Sequence, residues 1–372
     1  MQETECEKWG GNILQFEKYI ETKEEADFEG IWEVANYKIG IRKEGVNYIG
    51  FIIESGSENW KSGMVKLKIE QEGDKLKSTF YTFDYSPVLS ENPELIGDNY
   101  LQIGQIVLKR LSPTFPSNSF FDNYFKSIYA QKPYLEELNT TTLYMRIPSF
   151  VLTEKQGIDS VLTANRSKIL KTENLIIDLR NNGGGGGSYA NLRTFLYTNP
   201  IRIIWVEYLS TTLNNQRFLD YANSTQYDFS VRERQRYKED YDKLQSRLGE
   251  FVNLAGKDIV TYQQDIIYEY PKNVGILIDK GCASATESFL LDAKQSKKVK
   301  LFGTTTRGAF DMANIYSVES PCKEFKLWYC LSRNLGIPDM VIDEIGLQPD
   351  YYLDKTIPQY KWVEFVNDVL NQ

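Results

Sequence analysis

The order of apolar and polar residues divides the chain into a β-rich part and a part in which strands alternate with helices. Between about residues 27 and 111, apolar and polar positions alternate in short runs, most clearly at residues 65–70. Such alternation predicts strands with one apolar and one solvated face, and Gly-containing turns separate the runs. We therefore expect a small antiparallel β-rich domain over residues 27–118, preceded by a short helical lead-in over residues 1–26.

The second part of the chain has a different period. From about residue 143 a strand pattern is followed by a helical one, and residues 175–179 are almost entirely apolar, as expected for a strand covered on both faces. Similar apolar runs occupy residues 201–206, 274–278 and 299–302. This alternation predicts an α/β domain with a largely parallel sheet over residues 119–372.

An insert near residues 230–256 interrupts the alternation. Its apolar residues recur at helical spacing, at Tyr237, Tyr241, Leu244, Leu248 and Phe251. This spacing predicts an amphipathic helix. We expect this helix to pack flat on the domain, and a mobile lid is the less favoured alternative.

Composition excludes several kinds of chemistry. Lys+Arg number 43 against 51 Asp+Glu, a net charge of −8, so nucleic acid is not expected as a partner. The chain contains no histidine, which removes Ser-His-Asp and Cys-His catalysis and His-ligated metal sites. The four cysteines form no C-x-x-C pair, so neither a metal nor a cofactor is predicted. Cys322 and Cys330 are expected to be reduced thiols, with a disulfide across a bent hairpin as the alternative.

The apolar runs are all too short for a membrane span. None approaches the roughly 20 apolar residues that a bilayer requires, so the chain as given is expected to be soluble. Residues 1–10 are polar and lack the apolar core of a signal peptide, so none is predicted. A cleaved signal replaced by a starter Met would leave the same sequence.

A run of five glycines, residues 183–187, directly follows the buried strand at residues 175–179. Glycines let the backbone approach a ligand closely and direct N–H groups at it. No Gly-Lys-Ser/Thr follows and the glycines are contiguous, so a phosphate-binding loop does not fit. An oxyanion site made of backbone N–H groups fits better, and a flexible turn is the simpler alternative.

The second candidate is the segment at residues 282–287, where a buried strand passes through small residues into a helix. Ser284 would lie at the helix N-terminus, where free N–H groups favour developing negative charge. Alternatively, Ser284 is only an N-cap, with Glu287 completing a capping box. Cys282 is a weaker nucleophile candidate, because no imidazole is present to form its thiolate.

Four segments in one order carry a family resemblance. They are residues 143–150, 175–185, 282–287 and 346–350. Together they resemble the motifs of the S41 family of serine peptidases, which comprises the carboxy-terminal-processing or tail-specific proteases and tricorn-type relatives. The resemblance implies a crotonase-like α/β peptidase core, here preceded by the small antiparallel β-rich domain, and a polypeptide substrate.

The resemblance also assigns site residues. Ser284 matches the nucleophile, and the backbone N–H groups of Ala285 and of a glycine in the run, taken as Gly184, match the oxyanion donors. Asp343 falls where the tricorn branch carries its orienting glutamate. Many family members work in the periplasm or at the cell envelope, and the resemblance implies such a location. It implies no oligomeric state.

The sequence departs from the family pattern at the general base. Ala309 occupies the position of the processing branch's lysine, and Arg146 occupies that of the tricorn branch's histidine. General-base help contributes about 10²–10⁴ in rate, and a guanidinium hardly ever deprotonates. Lys280, four residues before Ser284, is an alternative candidate for the general base, but no family motif supports it. The PDZ signature of the processing branch is not visible either.

Two functions therefore remain open. The first is a serine-type peptidase acting through Ser284, because the nucleophile and oxyanion segments are both intact. The second is a catalytically inactive protein of the same fold that binds peptides or apolar ligands. The interphotoreceptor retinoid-binding proteins, which resemble this family, bind apolar ligands. The missing base and an aromatic content of 13% support the second. Glycan binding by the aromatic β segment rests on composition alone.

Overall fold

The computed structural model describes residues 7–104 and 106–372. Residues 1–6, which include Cys6 and the start of the predicted lead-in, and Gln105 in a predicted strand lie outside this description. The chain divides into two compact units, Met1–Asn123 and Tyr124–Gln372. The domain limits drawn from the sequence stay a prediction.

The described part of the first unit contains one helix and a sheet of nine antiparallel strands. These elements are α1 (Ile13–Ile20), β1 (Gly30–Val34), β2 (Tyr37–Glu44), β3 (Asn47–Ser55), β4 (Val65–Glu72), β5 (Lys75–Tyr81), β6 (Pro87–Glu91), β7 (Glu94–Ile96), β8 (Tyr100–Ile103) and β9 (Ile106–Ser112). The strand order is β6-β5-β4-β3-β2-β1-β9-β8-β7. The antiparallel β-rich character predicted for this part of the chain is therefore confirmed.

One residue of this sheet departs from the alternation. Lys66 on β4 was expected on the solvated face, yet its side chain is fully buried. Its Nζ lies 3.7 Å from the centre of the Trp60 ring and donates to the Thr82 carbonyl at 3.2 Å. Cation–π attraction and this hydrogen bond replace the water that the pattern implied.

The second unit begins at Tyr124, within helix α2 (Ser119–Ile128). Its strands are β10 (Tyr134–Glu137), β11 (Thr142–Arg146), β12 (Asn174–Asp178), β13 (Ile201–Ile204), β14 (Val206–Leu209), β15 (Phe251–Val252), β16 (Ile259–Tyr262), β17 (Asn273–Ile278), β18 (Val299–Gly303), β19 (Met312–Glu319), β20 (Lys326–Asn334) and β21 (Tyr351–Tyr352). Its helices are α3 (Lys155–Ala164), α4 (Arg166–Ile169), α5 (Arg193–Leu196), α6 (Thr212–Asn223), α7 (Val231–Gln245), α8 (Ala285–Ala293) and α9 (Trp362–Leu370).

A sheet in the order β10-β11-β12-β17-β18-β21 forms the centre of this unit. All of its neighbours pair in parallel except β10 and β11, in agreement with the largely parallel sheet that was predicted. The apolar run at residues 201–206 was wrongly placed among its strands. Instead, β13 pairs with β16 in a separate antiparallel ladder, and β14 belongs to a sheet in the order β15-β14-β20-β19.

Both faces of the parallel sheet are covered, which explains its continuous apolar strands. Ile177 on β12 packs in one cluster with Phe289 and Leu290 of α8. Its neighbour Ile176 points the other way, into a cluster with Trp362 of α9. The sheet therefore holds its strand ends, and the loops that follow them, between two apolar layers.

The insert contains a helix, but a shorter one than its spacing predicted. Helix α7 ends at Gln245, so Leu248 lies beyond it and is half exposed, and Phe251 belongs to β15. Tyr237, Tyr241 and Leu244 pack in a cluster with Phe218 of α6 and with Val252. Because α6 supplies the apolar face that α7 needs, the pair forms a small helical hairpin.

Two further expectations concern the cysteines and the membrane. Cys322 and Cys330 are free thiols, as predicted. Within the described ranges, no helix is both long and apolar enough to cross a bilayer.

Candidate active site

Ser284 lies at the turn between β17 and α8, with an unusual backbone conformation. Its φ is +55° and its ψ is −118°. An N-cap residue normally has an extended backbone, and positive φ is costly for a residue with a Cβ. The structure retains the predicted capping box, in which Ser284 caps α8 and its N–H donates to Glu287, but capping alone does not account for the positive φ. A strained strand-to-helix turn that presents a half-buried serine is the geometry of a nucleophile elbow.

The carboxylate of Glu287 holds this turn from behind. It is fully buried, and its Oε2 accepts hydrogen bonds from the Ser284 N–H at 2.9 Å and the Ala309 N–H at 3.0 Å. Its Oε1 accepts from the Thr306 hydroxyl at 2.6 Å and from the Gly308 N–H at 2.8 Å. Glu287 thus does more than cap α8, because it ties the serine backbone to the loop at residues 306–309.

The glycine run closes against the same turn. Gly184 has a φ of +88°, and a Cβ at this position would lie 2.5 Å from the Ala283 carbonyl oxygen and 2.7 Å from the Ala285 nitrogen. Real Cβ atoms do not approach backbone so closely, so only glycine fits. The structure therefore brings Gly184, Ser284 and Ala285 together.

The amide hydrogens at this junction differ in availability. The Gly184 N–H donates to Asn182 Oδ1 at 3.0 Å, so this predicted oxyanion donor is already engaged. The Ala285 N–H has no acceptor among the described residues. Asn182 is fully buried, accepts from the Thr286 hydroxyl at 2.9 Å and donates to the Ile147 carbonyl at 3.1 Å. It fastens the glycine run to α8.

Arg146, at the position of the tricorn-branch histidine, belongs to a buried ionic cluster. Its guanidinium donates to the carbonyls of Ser127 at 2.7 Å and Asp178 at 2.9 Å, and it lies 3.6 Å from the Asp178 carboxylate. Arg180 binds the same carboxylate through two nitrogens, with the shorter contact 2.6 Å long. Burial would raise the pKa of Asp178, but the two guanidinium groups outweigh it and hold that pKa well below its usual range.

The position of the processing-branch lysine faces the serine turn but carries no base. The Ala309 amide shares the Glu287 oxygen that accepts the Ser284 amide, and the Arg307 N–H donates to the Cys282 carbonyl at 2.8 Å. Lys280 is exposed. Among the described residues, no basic or acidic side chain forms a hydrogen bond with the Ser284 hydroxyl.

Asp343 supports a neighbouring loop. Its Oδ1 accepts from the N–H groups of Phe310 at 2.5 Å and Asp311 at 2.8 Å. In return, the Asp311 carboxylate accepts from the N–H groups of Ile342 and Asp343, both at 2.8 Å. The described structure therefore does not bring the Asp343 carboxylate into contact with Ser284. It uses this carboxylate to join the two segments that follow Ala309 and precede Gly346.

Cys282 is unsuited to nucleophilic chemistry. Its side chain is fully buried, and its Sγ donates to the Leu179 carbonyl at 3.0 Å. Burial and the charge of Asp279 raise the pKa of this thiol well above its usual value, which opposes thiolate formation. In the part of the chain that the structure describes, no group of Cys, Asp and Glu side chains is arranged to hold a metal ion.

Sequence reasoning missed three supporting residues. Asn182 lies within the motif at residues 175–185, and Thr306 lies in the segment that lacks the family's lysine, but neither has a role that the sequence predicts. For Glu287 the sequence predicts a capping role alone. The sequence signal that could have found them is a polar residue with small neighbours near a candidate nucleophile. The hydrogen-bond partners of these residues are distant in sequence, so their roles appear only in the folded chain.

The model of peptidase family S41 matches residues 141–353. Because this match spans more than half of the 372 residues, the chain belongs to peptidase family S41. The matched range contains the glycine run, Ser284 and the loop that Glu287 holds. No protein with a curated description matches the chain in sequence.

Several solved structures are similar to this chain. Mature CPAF has a TM-score of 0.47 at 13% identity, covering 97% of this chain and 91% of that one. The photosystem II D1 C-terminal processing protease has a TM-score of 0.40 at 13% identity, covering 91% of this chain and 77% of that one. A protein described as a candidate peptidase from Parabacteroides merdae has a TM-score of 0.44 at 16% identity, covering 71% of this chain and 75% of that one.

Proposed function

We propose that this protein is a serine-type peptidase in which Ser284 forms an acyl-enzyme with a polypeptide substrate. One observation carries the proposal, namely the backbone of Ser284, with its φ of +55° at the strand-to-helix turn. Such strain persists only where the surroundings enforce it, and Glu287 and Gly184 supply that enforcement here. Neither a cap nor a flexible turn requires this conformation.

The oxyanion of the proposed intermediate would bind at the junction of α8 and the glycine run. The Ala285 N–H, at the first position of the helix, is the donor without an acceptor in the described structure. The Gly184 N–H would serve as the second donor by exchanging Asn182 Oδ1 for the oxyanion. Backbone donors of this kind stabilise charge that develops only in the transition state. Asp343 would contribute by fixing the loop beyond Ala309.

The proposal predicts slow turnover. The Ser284 hydroxyl has no base in hydrogen-bond contact among the described residues, and general-base help is worth about 10²–10⁴ in rate. The bases that the family uses are missing here. Because catalytic hydrogen bonds often tighten only when substrate binds, their absence from this structure is compatible with attack by Ser284. Rates well below those of a base-assisted serine peptidase are expected.

The proposal includes a crotonase-like core for the second unit and a location of the protein at the cell envelope or in the periplasm. The parallel strands β11, β12, β17 and β18, with helices on both faces, support a crotonase-like core. Family membership supports polypeptide substrates and work at the cell envelope or in the periplasm.

The test is hydrolysis of a mixed peptide library by the wild type and by two serine variants, with products identified by mass spectrometry. Ser284→Ala should abolish every product. Ser288→Ala is the matched control, because Ser288 lies one turn later on α8 and bonds to the Tyr189 hydroxyl at 2.8 Å. Equal hydrolysis by the wild type and Ser284→Ala would overturn the proposal.

A second candidate function is peptide binding without hydrolysis. It is favoured by the state of both base positions, since Ala309 has no titratable group and Arg146 is fixed in the Asp178 cluster. The wild type and Ser284→Ala would then bind the same peptides with equal affinity, and neither would form products.

A further inference from the structure

A cavity of about 420 Å³ lies beside the glycine run in the second unit. One wall consists of Gly185–Gly187, which directly follow the glycine packed against Ser284. Other lining residues come from β14, α6 and α7 and include Tyr208, Tyr221 and Tyr237. The volume falls within the range of small-molecule and side-chain pockets.

The charges of this cavity are unbalanced. Arg217, Arg236 and Lys243 line it, against a single carboxylate from Asp240. Lys243 lies 3.7 Å from Asp240, so these two charges largely compensate each other. The two guanidinium groups remain, and neither forms an ion pair with a carboxylate of the described residues.

Both guanidinium groups lie beside aromatic rings. The Arg217 guanidinium stacks 4.1 Å from the centre of the Tyr221 ring and donates to its hydroxyl. The Arg236 guanidinium lies 5.4 Å from the centre of the Tyr237 ring. Stacking of this kind orients the planar donors without neutralising them. Arg217 is therefore an oriented cation at the cavity, and the exposed Arg236 adds a second positive charge, in a protein with a net charge of −8.

We propose that this cavity is a specificity pocket that binds an acidic side chain of the peptide substrate. The inference rests on the proposed function in taking a peptide as the ligand. An aspartate or glutamate would accept charge-assisted hydrogen bonds from Arg217 and Arg236, while the tyrosine rings cover its methylene groups. A neutral side chain of the same shape would leave both guanidinium groups without an anion, and a basic one would be repelled.

Binding to the Ser284→Ala protein tests the pocket without requiring turnover. The probes are fluorescein-labelled decapeptides with amidated C-termini that differ by Glu or Gln at one position, and the readout is fluorescence anisotropy. We expect the Glu peptide to bind about tenfold more tightly at low salt, as for one charge-assisted hydrogen bond. High salt should reduce this preference.

Arginine variants in the same background locate the effect. Arg236→Gln and Arg217→Gln should each bind the two peptides nearly equally. Arg232→Gln is the matched control, because Arg232 lies one turn earlier on α7 and does not line the cavity. It should keep the tenfold preference. Unfolding curves of all variants check that the fold is retained.

Three results would overturn the pocket assignment. They are equal binding of the Glu and Gln peptides, binding of neither, and a preference that survives both cavity variants. These results leave the proposed function intact, because the assay does not read hydrolysis. Conversely, charge-dependent binding together with an unreactive Ser284 would overturn the proposed function alone.

Discussion

The proposed nucleophile side and the proposed base side of the candidate site differ in how strongly the structure constrains them. On the nucleophile side, Ser284 has a strained backbone, Gly184 fits where no other residue can, and Glu287 is buried with four donors. On the base side, Ala309 has no functional group and Arg146 is bound in an ionic cluster. The strain of one side is maintained although the usual partner on the other side is absent.

This difference shows that a serine-type site has two separate physical requirements, a positioned nucleophile with its oxyanion site and a general base. Positioning a nucleophile and an oxyanion site uses backbone geometry, which depends on many packed residues at once. A general base is one side chain with a suitable pKa, and a single substitution removes it. On the base side, Arg146 instead helps to neutralise the buried Asp178.

The largest expected effect is the loss of stability in Asp178→Asn. The variant would leave Arg146 and Arg180 buried without their anion, which typically costs about 3–5 kcal/mol. Urea unfolding measures it. The control is Glu173→Gln, which removes an exposed partner of Lys272 and should cost no more than about 1 kcal/mol. Equal losses would mean that the base side is not a structural cluster.

Acid should weaken the same cluster. Because the pKa of folded Asp178 lies below its unfolded value, its stabilisation is complete above the unfolded pKa and is lost as pH falls through the folded pKa. The stability difference between the wild type and Asp178→Asn should therefore shrink as the solution is acidified. Unfolding free energies measured across acidic pH check this, and a constant difference would contradict the assignment.

On the nucleophile side, Gly184→Ala should lower reactivity at Ser284 by at least about 10²-fold, the cost of one oxyanion donor. Its Cβ would collide with the backbone at Ala283 and Ala285. Gly183→Ala is the matched control, because a Cβ there meets nothing within 4 Å. Similar rate constants for the two variants would show that the close approach of the glycine run has no role in reactivity.

A restored base should raise the rate. Ala309→Lys places an amine on the loop whose amide shares the Glu287 oxygen with Ser284, and a gain of about 10²-fold is expected. Ala309→Met has similar length without the charge and should give none. If both variants hydrolysed peptides at the wild-type rate, the absence of a general base at this position would not be what limits turnover.

The smallest effect is expected at Lys280. This side chain is exposed and makes no described contact with Ser284, so Lys280→Gln should change peptide hydrolysis less than about twofold. A large loss would identify Lys280 as the base that the structure does not show.

Local patterns predicted much of this structure because they report local physics. Alternation identified the antiparallel strands, and the continuous apolar run at residues 175–179 identified β12. The same patterns misassigned residues 201–206 and Lys66, where the partner that covers an apolar or charged residue comes from elsewhere in the chain.

The candidate site shows the same limit. Motif order placed Ser284, Ala285 and Gly184, and folding brought them together. The roles of Asn182 and Thr306 depend on hydrogen bonds across more than 18 residues of sequence, and the use of Asp343 depends on two loops that meet only in the folded chain. Sequence spacing carries no information about such contacts.

The most direct test of the central claim is the intact mass of the protein after incubation with a fluorophosphonate probe. The wild type and Ser284→Ala would be treated in parallel, with Ser288→Ala as a control on the same helix. The account predicts one adduct on the wild type and on Ser288→Ala, and none on Ser284→Ala. The absence of an adduct from all three proteins would contradict it.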